Sequence, residues 1–352
     1  MNDIATVREV PAELADRLRR MPKVEIHVHL EGATDADTVW AMAARNGVTL
    51  PAATPSQWRE HYEFRDFEHF IEIYLTATGC MHTAEDYHSM VMSFARRQAA
   101  QNVRYSEAYF SPDLHLGREL PAHAILDALE AGVKDAESEH GTRLRFFADI
   151  SRHLPEDPSS VVDFAIAGHE RDGLFLAIGI GGIEVGYPPE LFVDHFTRAR
   201  GAGLRTVAHA GETAGPESVW GALRSLQAER IGHGVRSVDD PELVAYLAEH
   251  GVPVEVSPVS NYRLHVVPCD QLHPIRQLHD AGVNVSVNSD DPPMFSTDLN
   301  REYLLLAQQG FTWDELWKLN RQGLEASFLH EDGKAQLRAE WDRFEADCGS
   351  SV

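Results

Sequence analysis

Val24-Glu25-Ile26-His27-Val28-His29-Leu30-Glu31-Gly32 begins as a strand and ends as a site. Val24, Ile26 and Val28 alternate with Glu25, His27 and His29. Side chains at i and i+2 of a strand point the same way, so His27 and His29 are expected side by side, with the three apolar residues on the opposite face. Gly32 is expected to release the chain where the strand ends. Two parallel imidazoles at the end of an early strand supply half of a metal site. The plain alternative is two half-exposed histidines on an edge strand. With 19 histidines in the chain, the pair alone does not decide; the rest of the chain must provide the other half.

The chain has 352 residues, room for one large α/β domain or two ordinary ones. Hydrophobic residues make up 43% and charged residues 24%, which is ordinary for a globular enzyme. A net charge of −24 argues against nucleic-acid backbones and anionic membranes as partners, because both would be repelled. Cys80, Cys269 and Cys348 are far apart and form no CxxC pair, against a disulfide framework and against a thiolate zinc site. Residues 1–20 are charged throughout and no apolar run approaches the ~20 residues that span a bilayer, so the expected compartment is the cytoplasm. The oligomeric state stays open, a homo-oligomer included.

Residues 11–20 read as a short helix, 35–46 as an amphipathic helix stopping at Gly47, and 51–65 as loop. Residues 66–78 and 83–101 read as helices. In the first, Phe67, Phe70, Ile71 and Tyr74 recur at helical spacing, as core or as the wall of a pocket. A rhythm follows. Strands at 103–109, 144–150, 174–180, 204–208, 230–232 and 252–256 precede helices at 121–139, 159–170, 189–200, 216–226, 241–250 and 270–281; a last strand at 283–287 leads into helices to the end. Several helices open on Pro, whose missing N–H costs nothing in a first turn. Thr312 and Glu315 have capping-box spacing. Counting the His27 strand gives eight βα units, which predict a (β/α)8 TIM barrel over residues 1–352 as a single domain. Its surplus length lies in a helical insertion at about 33–102, after strand one, and in a helical C-terminal tail. An open doubly wound sheet would want a Gly-rich phosphate loop after a strand, and none is present.

A barrel of this kind carries its site at the C-terminal ends of its strands. Strand one ends in His27 and His29, strand five in His209-Ala210-Gly211-Glu212, strand six in Ile231-Gly232-His233-Gly234, and strand eight in Asn288-Ser289-Asp290-Asp291-Pro292. Taken singly, His209 or His233 is more often a structural histidine, Glu212 a helix cap, and Asp291-Pro292 a turn. Jointly, on one rim, they indicate a metal site with acid/base groups beside it. Imidazoles and carboxylates without thiolate suit Zn²⁺ with a position open to water, while Fe²⁺, Co²⁺ and Mn²⁺ stay open. Residues 174–180 contain no lysine to bridge a second metal, which favours one metal per chain.

These segments, with Pro22-Lys23 before the first and Ser257-Pro258-Val259-Ser260-Asn261 between the last two, resemble the adenosine deaminase family in sequence and in order, over about residues 22–330. The resemblance implies one zinc per chain, held by His27, His29, His209 and Asp290. It implies Glu212 as proton donor to purine N1, His233 as the group that orients and helps deprotonate the attacking water, and Asp291 as a partner of N7. Gly181 and Gly182 would face N3 through their backbone, and Glu31 the sugar side. The implied reaction is hydrolytic deamination of a small-molecule purine, adenosine or deoxyadenosine to inosine-type product and ammonia. Adenine, or a 5′-modified adenosine such as aminodeoxyfutalosine, is the alternative. Two departures bear on the choice. Glu31 stands where much-studied adenosine deaminases carry Asp and use it on the 5′-hydroxyl, and Gly181-Gly182-Ile183-Glu184-Val185-Gly186-Tyr187-Pro188-Pro189 stands where they carry an Ala-Gly-Asp-Glu run; its Glu-Val-Gly-x-Pro-Pro part and Asn288-Ser289-Asp290-Asp291-Pro292 look more like the branch that includes adenine deaminases. The other zinc-deaminase signature, His-x-Glu with a later Pro-Cys-x-x-Cys, is absent. A barrel amidohydrolase cleaving a cyclic amide fits Glu212 less well, and a catalytically dead relative fits the intact acid/base set less well.

Overall fold

Eight strands alternate with helices: β1 (Lys23–His29), β2 (Val103–Phe110), β3 (Arg143–Ser151), β4 (Phe175–Gly181), β5 (Arg205–Ala210), β6 (Arg230–His233), β7 (Pro253–Val256) and β8 (Asn284–Val287). The computed structural model describes residues 4–118, 120–154 and 157–349; the Cys348 side chain counted above lies outside the described residues, as do residues 1–3 of the N-terminal segment. The strands neighbour one another in chain order, all parallel. Past β8 the chain returns to β1: Val28 bridges Asp290, and the His29 N–H donates to Asp290 O at 2.9 Å. Parallel neighbours require crossovers, and the helices that make them cover the outside of the sheet, so the strands are buried on both faces. This is the expected (β/α)8 barrel.

The surplus helices fall where the length of the chain places them. Ala36–Asn46, Pro55–His61, Phe67–Gly79 and Ala84–Ala100 lie between β1 and β2; Leu299–Gln308, Trp313–Ala326 and Glu331–Gly349 follow β8. Local signals start and stop them. The Asp35 side chain accepts from Thr38 N, and Gly47 ends the first with a left-handed φ of 67°. Thr312 and Glu315 form the expected capping box. Other expectations change. The stretch 51–65 is not all loop: Thr54 caps the helix Pro55–His61, and burial of Trp58 and Tyr62 supplies the tertiary reason. Residues 270–281 are helical only over Ile275–Asp280, and a further helix, Pro258–Arg263, follows β7 directly. No helix among the described residues is long and apolar enough to cross a membrane.

The opening strand departs from simple alternation. Pairing with β2 slips between Glu25 and Val28, where one partner step covers fewer residues than β1 supplies. The extra residue turns Glu25 away from His27. Glu25 leaves the barrel side and accepts from Ser289 N at 2.8 Å and from Gln98, while His27 and His29 stay inside. Asn288 Oδ1 takes both amides freed by the bulge, Ile26 N at 2.9 Å and His27 N at 3.1 Å. Gly32 serves close approach rather than release: a Cβ there would overlap the Asp291 side chain.

Inside the barrel Tyr109, Phe147, Ala177 and Val207 pack together. Next to them Arg230 is paired with Glu107 at 2.5 Å and Glu255 at 2.6 Å, all three sealed from solvent. Buried charges persist only when paired, and removing one partner typically costs ~3–5 kcal/mol.

A second buried carboxyl is unpaired by any cation. Glu302 accepts from Val259 N at 3.0 Å and Thr297 Oγ1 at 2.7 Å, and burial pushes it up to about 8. The folded protein therefore holds a proton that the unfolded chain releases near pH ~4.5, so stability falls as pH rises through that window toward 8. Glu302→Gln keeps the acceptor for Val259, can donate to Thr297 and does not titrate. Thermal unfolding should show the variant's Tm at pH 8 a few degrees above that of the parent, with the two converging near pH 5. Parallel pH curves would show that Glu302 does not titrate in this range.

Candidate active site

Three strand exits meet at one rim. His27 and His29 come from β1, His209 from β5, and Asp290 from the turn after β8, where its φ of 65° is left-handed. These four offer ligand atoms all within 4.8 Å of one another. Hydrogen bonds at the far nitrogens orient the rings. His27 Nδ1 lies 2.8 Å from Glu255 Oε2 and donates to it; His209 Nδ1 lies 2.9 Å from Ile180 O and donates to it. Both Nε2 atoms are left as lone pairs pointing into the cluster. His27 Nε2 is buried without a hydrogen-bond partner, and His29 Nε2 and His209 Nε2 are 3.1 Å apart. Asp290 Oδ1 stands 3.5 Å from His27 Nε2 and 3.4 Å from His29 Nε2, while its Oδ2 accepts from Ser260 Oγ at 2.6 Å. Converging imidazole lone pairs and a carboxylate oxygen, with only His29 partly exposed, fit a tetrahedral zinc site with a free position.

Glu212 and His233 stand beside this cluster, 3.7 Å apart, with His233 Nε2 4.0 Å from Asp290 Oδ2. Burial, then the carboxylates of Asp290 and Glu184, push the Glu212 carboxyl up to about 8, so it carries its proton at neutral pH. Burial pushes His233 down to about 4, so its ring is neutral. A chain of hydrogen bonds sets its tautomer. The Ile275 backbone N–H must donate, so His273 Nδ1 accepts at 3.0 Å and the His273 proton sits on Nε2. That Nε2 donates to Asn261 Oδ1 at 3.1 Å, which leaves the Asn261 amide nitrogen to donate to His233 Nδ1 at 3.2 Å. The proton of neutral His233 therefore lies on Nε2, facing the cluster.

The turn carrying Glu212 is held by a side chain from the stretch that follows β4. Glu184 points its carboxylate into a nest of amides: Gly211 N at 2.6 Å, Glu212 N at 3.1 Å, Thr213 N at 2.8 Å and Ala214 N at 2.8 Å. Arg152 completes the clamp by donating to His209 O and, at 2.8 Å, to Tyr187 O. Asp291 is buried with Oδ1 unpartnered, and burial together with Asp290 raises its carboxyl pKa. Glu31 Oε1 accepts from Ser111 N at 2.8 Å and pairs with His115 at 3.1 Å; Oε2 has no partner. Gly181 ends β4 and Gly182 turns with φ 77° against the His153 ring. The helix Phe67–Gly79 divides its aromatic positions: Phe67 and Ile71 are exposed, Phe70 stacks on Phe295 at 4.8 Å, and Tyr74 reaches toward Glu31, Asp291 and Asp149.

All the residues named from the sequence thus lie at one rim. Missed were Glu255, Arg230, Asn261, His273, Arg152 and Asp149. Glu255 had a signal, a charged residue within an otherwise apolar strand; the others act through partners remote in sequence.

Fold and site define a metal-dependent hydrolase of the amidohydrolase type. A profile of the adenosine deaminase family matches residues 22–344, and the chain belongs to that family: it is a hydrolytic aminohydrolase, and zinc is its cofactor. It is 42% identical to an aminodeoxyfutalosine deaminase of Streptomyces avermitilis over 93% of this chain and 92% of that one. It is 37% identical to an adenine deaminase of Cupriavidus pinatubonensis over 95% of each. Among solved structures it is similar to an amidohydrolase from Burkholderia ambifaria with bound Zn, with a TM-score of 0.89 and 29% identity, covering 100% of this chain and 99% of that one.

Two measurements check this arrangement. Metal analysis should find about one zinc per chain, with Asp290→Ala losing it and Asp291→Ala retaining it; equal loss in both would mean the pair is divided wrongly. Glu184→Gln puts an NH2 where amides converge. Its turnover should drop roughly 10-fold or more at unchanged zinc content, a cost of the order of ~1–3 kcal/mol for an acceptor lost at the turn. Full turnover would show that the nest does not set Glu212.

Proposed function

We propose that this protein hydrolyses the exocyclic amine of a 6-aminopurine, giving the 6-oxopurine and ammonia. The observation that carries the reading is a buried carboxyl, Glu212, set beside a three-histidine, one-aspartate donor cluster. Attack at C6 drives electrons to N1, which then needs a proton; Glu212 is the acid for it. The net reaction places one water proton on N1 and the other on the departing nitrogen. Glu212 gives the first from its own carboxyl and is refilled from the water. Such general catalysis contributes roughly 10²–10⁴-fold.

His27, His29, His209 and Asp290 would hold the zinc, which would supply a water acidic enough to attack at neutral pH. His233, with its proton on Nε2, orients the water as a hydrogen-bond donor rather than taking its proton, which modifies the role that the resemblance implied. Asp291, carrying a proton through burial, donates to N7. The backbone at Gly181 and Gly182 meets N3, and Glu31 lies toward the N9 substituent. The identities of the relatives reorder the substrates: a 5′-modified adenosine such as aminodeoxyfutalosine first, adenine second, adenosine third. The net charge of −24 supports a small-molecule partner over a nucleic acid.

Ammonia release from this panel tests the reading, with Glu212→Gln as the probe. The variant should hold zinc like the parent and lose at least ~100-fold in kcat. An active Glu212→Gln enzyme would move the acid elsewhere.

A further inference from the structure

The end of the barrel opposite the rim is closed by the segment that follows the helix Trp313–Ala326. There Phe328 lies under the first residues of β5 and β6. Its ring centre is 4.3 Å from the guanidinium carbon of Arg205 and 4.1 Å from that of Arg230. The ring also meets Phe147 of the interior cluster at 5.7 Å. The Phe328 backbone N–H donates to Glu107 Oε1 at 2.6 Å, which the Tyr105 hydroxyl joins at 2.8 Å. Arg230 Nη1 donates to Glu107 Oε2 at 2.5 Å and to Ala326 O at 3.1 Å, and its Nη2 donates to Ile26 O at 3.3 Å.

The same guanidinium stands with Nε 2.6 Å from Glu255 Oε1, and Glu255 Oε2 takes the His27 Nδ1–H at 2.8 Å. A polar column thus runs from Phe328 through Glu107, Arg230 and Glu255 to a metal donor. It is sealed: the Arg230 side chain is 1% exposed and both carboxylates 0%. Two carboxylates face one guanidinium, and among the described residues no other lysine or arginine pairs with either. One negative charge is left over where screening is poor, and a buried charge is costly until a cation answers it. The cation that can do so is an ion on His27 Nε2, at the upper end of the column. Arg230 also divides its charge. What it gives to Glu107 it withholds from Glu255, which leaves Glu255 the stronger acceptor for His27 and makes His27 the better metal donor.

We propose that Glu107, Arg230 and Phe328 are positioning residues for the metal site, and that closure of the far end of the barrel and loading of an ion on His27 stabilise each other. This rests on the zinc reading of the donor cluster. None of the three stands at the rim; they act through Glu255. Phe328 keeps water from Arg230 and Glu107, so the excess charge of the column stays unscreened and is felt at His27. Coupling between two sites is reciprocal: what closure adds to zinc binding, zinc adds to closure.

The test uses the whole chain, stripped of metal and reloaded. In the parent, zinc should slow hydrogen exchange at the Phe328 amide by more than at the amides of the helix Glu331–Gly349, which has no part in the column. Chelator competition should find zinc held roughly 10-fold more weakly by Glu107→Gln, the low end for a partner outside the ligand set, and the absorption band of the cobalt-loaded variant should shift. Phe328→Ala keeps the N–H but admits water to Arg230, and should weaken zinc binding in the same direction. Phe328→Leu, still an apolar plug, should restore the affinity of the parent. The coupling is overturned if zinc slows Phe328 no more than the helix, or if Phe328→Ala binds zinc as tightly as Phe328→Leu. Should Glu107→Gln not fold, the Phe328 pair and the exchange decide. A parent that binds no zinc would overturn the zinc reading itself.

Discussion

Inside the barrel, Glu255 accepts the His27 Nδ1–H at 2.8 Å and stands 2.6 Å from Arg230. A carboxylate this deeply buried is viable because a cation and two further donors, His27 and Tyr109, share its charge. What it returns is orientation. With Nδ1 committed, the His27 lone pair on Nε2 is aimed at the rim, where His29, His209 and Asp290 converge. The barrel and the site are therefore one construction: the ion group that fills the interior also sets the direction of a metal donor.

The same economy appears at the acid. Glu212 sits on a turn whose amide hydrogens would point at nothing without Glu184, and whose preceding carbonyl is claimed by Arg152. Burial of the Glu212 carboxyl raises its affinity for a proton only if the turn cannot swing it toward water. A charged nest behind the turn and a neutral carboxyl in front of it are complementary: one fixes position, the other holds the proton.

Closure of the barrel brings these parts together. Asn288 gathers the two amides of the β1 bulge, Asp290 bridges to Val28, and the neighbouring Asp291 packs on Gly32. A one-residue slip in β1 thus separates the structural Glu25 from the site histidines and seats the last strand's aspartates against the first strand.

The amino-acid sequence alone determined the alternation of strands and helices, because apolar period and turn residues are local. It also determined the chemical kinds at the strand exits, because His-x-His, His-Ala-Gly-Glu and Asp-Asp-Pro are short stretches whose members stay adjacent after folding. Tertiary structure decided what depends on pairs far apart in the chain. Strict alternation put Glu25 with His27, whereas the bulge that separates them depends on Asn288, more than 260 residues away. Nothing local gives Glu184 its partners; only the fold shows the amides of 211–214 in its path. The tautomer of His233 depends on a backbone N–H at Ile275, relayed through His273 and Asn261. Asp149 has no motif around it, and its approach to Gly179 and Gly181 exists only once β3 lies against β4. Local patterns specify which groups a strand offers. Hydrogen-bond direction, charge pairing and burial are properties of what the completed barrel places opposite them.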